Sequence, residues 1–235
     1  GAALQRAADK VISRGRELAA HVLEADKADI TFEAGSFSVA GTDKRLRIED
    51  VARVSLEVGK LPKGEEYGLS GGAVVTPDEA SFPNGCHICE VEIDPETGVT
   101  AVVNYTVVDD VGTVINPLMV KGQIHGGVAQ GIGQIFTENI IYDPDNGQML
   151  TASFMDYGMP RADQMPDIHV ISNPVPTKMN PLGVKGAGEA GTVGAIPAVI
   201  SAIADALSAY GVTHIDMPAT PERVWAAIQN ARKAS

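Results

Sequence analysis

Two spacings of apolar residues divide this chain. Near its start Leu4, Ala8, Val11, Leu18 and Val22 fall close to one helical face, with Arg6, Lys10, Arg14 and Glu17 around the rest. Three short runs follow, 29–33, 36–40 and 45–48, separated by Gly35 and by Gly41-Thr42-Asp43. They predict a three-stranded meander, then a short helix from Glu49 to about residue 58. Residues 59–84 are rich in Gly and Pro with little period and read as a long connection. From 86 to 94 the chain alternates, with Cys86, Ile88, Glu90 and Glu92 on one face and His87, Cys89, Val91 and Ile93 on the other. Pro95-Glu96-Thr97-Gly98 is a turn signal, and 99–108 is a second long strand, so the two predict a hairpin that ends at Asp109-Asp110-Val111-Gly112. Asn116-Pro117 opens a helix that runs to about Thr137. The runs 138–142 and 148–153 flank Asp143-Pro144-Asp145-Asn146-Gly147 and predict a second hairpin. Residues 154–165 lack a period, and 167–172 is a further strand. Ile196, Val199, Ile200, Ile203, Leu207 and Tyr210 then mark a buried helix, with Pro197 tolerable only in its first turn and Gly211 as its stop. Thr220 caps a last helix with Pro221 at its first position and Val224, Trp225 and Ile228 facing inward. The fold class is α+β, mixed sheets with packed helices. Region 1–84 holds the helix, the small meander and the connection, and region 85–235 the longer elements.

Composition narrows the function classes. The 235 residues are 44% hydrophobic and 20% charged, enough for a substantial core. A net charge of −12 with no long basic run excludes a nucleic-acid partner, which needs a positive face. No stretch reads as the roughly 18 apolar residues of a membrane span. Two cysteines cannot build a disulfide framework and suit a reducing compartment. The expected location is cytoplasmic. A periplasmic one stays open, because the chain begins Gly-Ala-Ala-Leu inside a helix and so reads as truncated or as part of a split protein.

Three stretches carry candidate chemistry. The helix from Pro117 contains Gly122, Gly126, Gly127, Gly131 and Gly133, and each interior glycine costs roughly 1 kcal/mol relative to Ala. Such a helix needs compensation from a close neighbour. A flat polar ligand would serve, met by Gln123, Gln130 and Gln134 on one face. A tight helix–helix crossing would serve equally. His125 lies well round the helix from Gln130 and reads as packing or surface. Downstream, Glu189 sits among Gly183, Gly186, Gly188, Gly191 and Gly194, just before a strongly apolar helix. It is either that helix's cap, which spacing alone favours, or a lone base on a loop that a ligand can approach closely. Cys86-His87-Ile88-Cys89 resembles a redox or metal motif, but in a strand the two thiols point to opposite faces and no second cysteine pair exists. Those cysteines and His87 therefore read as structural.

The motifs resemble a known family in their order along the chain. Gly122-Gln123-Ile124-His125-Gly126-Gly127-Val128-Ala129-Gln130-Gly131 is similar to the Gly-Gln helix of the molybdenum hydroxylases: xanthine dehydrogenase, aldehyde oxidoreductase and the large subunit of aerobic carbon monoxide dehydrogenase. Lys185-Gly186-Ala187-Gly188-Glu189 resembles their active-site Lys-Gly-x-Gly-Glu motif. The stretch 90–98, Asn116-Pro117 and 220–225 fit as well. The resemblance implies the second cofactor-binding domain of the family, with region 85–235 carrying the cofactor and the catalytic loop. It implies a molybdenum–pterin cofactor, in the cytosine dinucleotide form usual for bacterial members. Glu189 would be the general base for oxidation of an electron-poor carbon (aldehyde, purine, N-heterocycle or carbon monoxide) with oxygen from water. Gln123 would bond the pterin. Gly122, Lys185, Gly186, Ala187 and Gly188 would complete the cofactor-binding set, and the molybdenum would be held through the pterin rather than by side chains.

The same resemblance implies what must come from elsewhere. The chain matches only the second half of a family large subunit, and it carries neither a cysteine set for iron–sulfur clusters nor a flavin motif. Its expected partners are the other half of the large subunit, an iron–sulfur subunit with or without a flavin subunit, and a small-molecule substrate. Alone it is expected to be inactive. The competing expectation is a non-catalytic remnant, an assembly or binding module with the family fold. Residues 154–161 are placed at the border of the substrate channel.

Overall fold

The structure, a computed structural model, describes every residue except 62, 63, 65, 77, 78 and 235. Five of these fall in the predicted connection 59–84, so that part of the expectation lies outside the described residues. The chain divides into two compact units, Gly1–Asp78 and Glu79–Ser235.

In the first unit helix α1 (Ala2–Leu23) packs on an antiparallel meander of β1 (Ile30–Glu33), β2 (Ser36–Val39) and β3 (Arg45–Arg47), which leads into α2 (Ile48–Val54). The core is Leu18, Ala19, Ala20, Ile30, Phe37, Val39 and Val51. The buried stripe of α1 is only partly the predicted one: Leu18 is buried as expected, but Leu4 is 77% exposed and Val22 is exposed, and Gly15, Ala19 and Ala20 point inward instead. Phe37 causes the difference. Its ring fills the space a Cβ at Gly15 would need, 2.3 Å from Cζ, so the bulkiest core residue seats on the smallest helical one. Burying such a ring contributes roughly 2–3 kcal/mol.

The second unit is built on β4 (Asn84–Ile93) and β5 (Thr100–Asp110), an antiparallel pair with a register shift between Glu90 and Val91. A third strand, β6 (Ile168–Ser172), adds to β5 in parallel. Helices α3 (Pro117–Phe136), α4 (Ala190–Ser208) and α5 (Pro221–Ala234) complete it. The alternation along β4 is as the sequence predicts, with His87, Cys89, Val91 and Ile93 turned inward. The predicted hairpin around 143–147 is reduced to its turn and one bridge, Tyr142 to Met149, because neither flank gains a sheet neighbour. Thr220 caps α5 as expected, its hydroxyl accepting from the Arg223 N–H at 3.4 Å. Val224 and Ile228 are fully buried, but Trp225 is 43% exposed, lying a third of a turn round from the packed stripe.

Helix α4 corrects two expectations. It begins seven residues before Pro197, which therefore lies inside the helix rather than in its first turn. The turns that precede the proline are held by packing on α3, which offsets the lost backbone hydrogen bond. It is also long and apolar enough, by length and composition, to cross a membrane, contrary to the reading that no stretch is. Ala195, Val199, Ile203 and Leu207, spaced by four, are fully buried against the α3 residues Ile124, Val128, Ile132 and Ile135 and the β-sheet. It serves as the core helix of this unit.

Candidate functional site: a glycine-walled cleft at the start of α4

The two motifs singled out in the sequence meet where α3 and α4 cross. Gly127 and Gly191 are the contact point. A Cβ on Gly127 would stand 2.8 Å from the Thr192 nitrogen, and one on Gly191 would stand 2.5 Å from the Ile124 carbonyl oxygen. Gly131 continues the crossing, facing the Ala195 methyl. The Thr192 hydroxyl donates to the Gly127 carbonyl at 3.0 Å and lies 3.0 Å from Gln130 Oε1. For Gly127 and Gly131 the tight-crossing reading is therefore the correct one, and Gln130 belongs to it. Gly122 and Gly126 behave differently, because nothing stands within 4 Å of a Cβ built at either. One face of α3 is glycine for packing, and the adjoining face is glycine toward open space.

The segment before α4 is tied down at its near end. Gly183 turns with φ +67° and its carbonyl accepts from the Thr113 N–H at 2.9 Å, while the Lys185 N–H donates to the Val111 carbonyl at 2.9 Å. Asn180 closes the turn through both its amide groups on Val184. Asp110, the last residue of β5, gathers three donors: the Lys185 ammonium, the Gly112 N–H at 2.8 Å and the Val175 N–H at 2.9 Å. Both charges of the pair are about nine-tenths buried. The Lys185 hydrogen bond, followed by the backbone donor from Val175, holds the Asp110 carboxyl down to about 2. Lys185, expected among the cofactor-binding residues, thus has its charge committed to Asp110 and anchors the loop.

Beyond that anchor the chain is open. No neighbour lies within 4 Å of a Cβ built at Gly186, and at Gly188 only Gln123 Oε1 does, at 3.9 Å. So Gln123 of α3 and the Gly186-Ala187-Gly188 backbone face each other across a narrow gap. Among the described residues the Gln123 side chain has no hydrogen-bond partner. Glu189 occupies the N-cap position of α4, yet its side chain makes no capping bond. The cap reading, which spacing favours, fails on this point: the carboxylate is left exposed to the cleft. The first N–H groups of α4 open the same way.

Gly186, Ala187, Gly188 and Glu189 line a cleft of about 610 Å³ with Asn84, Gly85, His87, Asp109, Phe82 and Val193 among its other walls. Among the described residues its lining carries two carboxylates and an imidazole but no Lys or Arg. Its affinity for an anion would rest on backbone N–H groups alone. Among the described residues no group of three or more His, Cys, Asp or Glu could hold a metal ion. Cys86 is exposed and Cys89 half-buried, both free, and burial pushes the Cys89 thiol up to about 11, which makes it a poor nucleophile. His87, read from the sequence as structural, and Asp109, which the sequence reading passed over, both line the cleft. A signal was present: Tyr105, Val107 and Asp109 continue the inward alternation of β5 past the predicted strand end at 108, and Asp109 pairs in register with Gly85.

An open glycine backbone, an unpaired amide and an uncapped carboxylate at a helix start define a site for a flat, polar group with many donors and acceptors. The residues fit a pterin on these grounds, since the Cβ positions that would block its approach are missing. The family model for the molybdopterin cofactor-binding domain matches residues 1–166, and the chain belongs to that family, as the motifs imply. It is 37% identical, over 235 residues and its whole length, to the 6-hydroxypseudooxynicotine dehydrogenase complex subunit gamma of Paenarthrobacter nicotinovorans. To the carbon monoxide dehydrogenase large chain of Hydrogenophaga pseudoflava it is 36% identical over 97% of its length. The solved quinoline 2-oxidoreductase from Pseudomonas putida 86 superposes with a TM-score of 0.81 over 93% of the chain at 40% identity, covering 28% of that chain. The chain spans 29% and 28% of the length of the two curated relatives.

Proposed function

We propose that this chain is the part of a molybdenum-dependent hydroxylase that supplies its base and one wall of its cofactor site. The observation that carries the reading is Glu189: a carboxylate at the start of a core helix, without a capping bond, on an open glycine loop opposite the Gln123 amide. The cofactor, when bound, supplies the two-electron oxidation of an electron-poor carbon with oxygen from water. Gln123 and the Gly186-Ala187-Gly188 backbone bind and orient the pterin edge, and Gly122 leaves it room. The Glu189 carboxylate takes up the proton released from the attacking oxygen. Lys185 and Asp110 hold the loop so that this carboxylate stays in place.

The chain needs companions to do this. With no Lys or Arg in the cleft, the phosphates of a dinucleotide form of the cofactor would be held by the other half of the large subunit. Electrons would leave through iron–sulfur and, where present, flavin subunits. The relatives carry subunit names, gamma and large chain, that fit such an assembly. The substrate is an aldehyde, a purine, an N-heterocycle or carbon monoxide. The test is Glu189→Gln in the protein purified from its source with the polypeptides that accompany it. Molybdenum and pterin per chain stay at the wild-type level, and turnover falls by about 10²–10⁴-fold. Near-normal turnover with the metal retained removes the base role.

A further inference from the structure

A buried polar chain lies behind the cleft and takes no part in the base chemistry of Glu189. Tyr105, fully buried, places its hydroxyl 2.8 Å from His87 Nδ1. The two rings meet edge to face, with centroids 5.8 Å apart. Burial, with Cys89 and Asp109 nearby, pushes the Tyr105 phenol up, so the hydroxyl keeps its proton and is free to donate it to Nδ1, the role that suits the Asp109 carboxylate on the other side of the ring. That leaves the imidazole N–H on Nε2, which faces Asp109 Oδ1 at 3.5 Å. Asp109 is 3% exposed and its second oxygen has no partner among the described residues. A buried carboxylate with so few donors is a poor choice for stability alone, since an apolar replacement of the pair would cost less.

The position of the ring shows what the arrangement holds. Gly194 lies in the second turn of α4, five residues after Glu189. A Cβ there would stand 2.5 Å from His87 Cδ2 and Nε2. The underside of the helix start therefore rests on the imidazole, and only glycine lets it do so. In the turn before it, Gly191 and Thr192 brace α4 against α3. We propose that His87 is a positioning residue for Glu189: clamped between Tyr105 and Asp109, it sets the height of the first turns of α4 and hence where the carboxylate stands in the cleft. This rests on the role proposed for Glu189.

The experiment uses the complex as purified from its source and compares His87→Ala, His87→Gln, Gly194→Ala and the His87→Ala/Gly194→Ala double variant. Two readouts are taken: steady-state kinetics with molybdenum content, and hydrogen–deuterium exchange of the amides of residues 190–193. His87→Ala should lower kcat by about 10–100-fold, as an ångström of misplacement does, with KM and molybdenum content little changed. The four amides should exchange faster. His87→Gln, which keeps an N–H for Asp109, should recover most of both losses. Gly194→Ala should reproduce the defect from the other side of the contact. The double variant should do better than Gly194→Ala alone by about tenfold, because the added methyl then has a vacated space to fill. Wild-type kcat and exchange in His87→Ala overturn the proposal, and so does a double variant whose losses multiply. If the wild-type complex contains no molybdenum, the role of Glu189 fails, and the exchange data alone decide whether His87 sets the helix start.

Discussion

Two neighbouring glycines of α3 predict opposite outcomes for the same substitution. In Gly127→Ala the new methyl would lie 2.8 Å from the Thr192 nitrogen and 2.9 Å from the Gly191 Cα. Both are backbone atoms, so no rotamer can yield, and α3 and α4 must part by a good fraction of an ångström to restore ordinary contact. That loosens the Gly131–Ala195 contact as well. Overpacking of this kind costs about 1–3 kcal/mol, and the better helix propensity of alanine returns roughly 1 kcal/mol. A net loss of up to about 2 kcal/mol follows. In Gly126→Ala the methyl meets nothing within 4 Å, so the propensity gain stands alone and the chain is stabilised by up to about 1 kcal/mol. The propensity gain is common to both, so the two adjacent variants should differ by the overpacking cost, about 1–3 kcal/mol. Urea unfolding of the purified chain measures this, followed by circular dichroism and by Trp225, the single tryptophan, on α5. If Gly127→Ala proves as stable as Gly126→Ala, the close crossing described here is wrong.

Other outcomes follow from the same contacts. Lys185→Met removes one of three donors to Asp110 and should cost about 1.5–3 kcal/mol at neutral pH. Because the folded Asp110 carboxyl is lowered from 3.8 to about 2, its contribution is full above about pH 4 and fades as pH falls toward 2, so the gap between wild type and Lys185→Met should close over that window in unfolding titrations. Gly98→Ala combines a left-handed residue, φ +74°, with a Cβ that would stand 2.0 Å from the Pro221 carbonyl. It should lose about 3 kcal/mol or more, with Trp225 emission reporting an undocked α5. Gly122→Ala, like Gly126→Ala, should stabilise the folded chain by up to about 1 kcal/mol while lowering the molybdenum found per chain in the assembled enzyme.

Much of the framework is legible in residue order. The alternation from 86, the turn at 95–98, the Asn116-Pro117 start and the Thr220 cap are local signals, and local physics decides them. What escaped depends on contacts between distant segments. Pro197 looks like a helix start until Gly191 is seen lying on Gly127. The seat of Phe37 on Gly15, which rotates the buried stripe of α1, has no mark in the spacing of Leu4 and Val22. The parallel docking of β6 on β5 is equally silent. At the site, Glu189, Gln123 and the glycines between them are visible through a family motif. The commitment of Lys185 to Asp110 and the His87–Asp109 contact required the β5 strand to run two residues further than its apolar pattern suggests.

The two kinds of glycine on α3 also make the helix a record of use. Gly127 and Gly131 are held by the fold itself, so any lineage that keeps the domain intact must keep them. Gly122 and Gly126 stand under no such constraint from within the chain, and each forfeits helix stability by being glycine. In a descendant relieved of its cofactor, drift would fill those two positions with alanine or larger residues within a modest number of substitutions, while the inner pair stayed. Both outer glycines are present here, alongside an uncapped Glu189, so the open space beside them is unfilled by any side chain of their own.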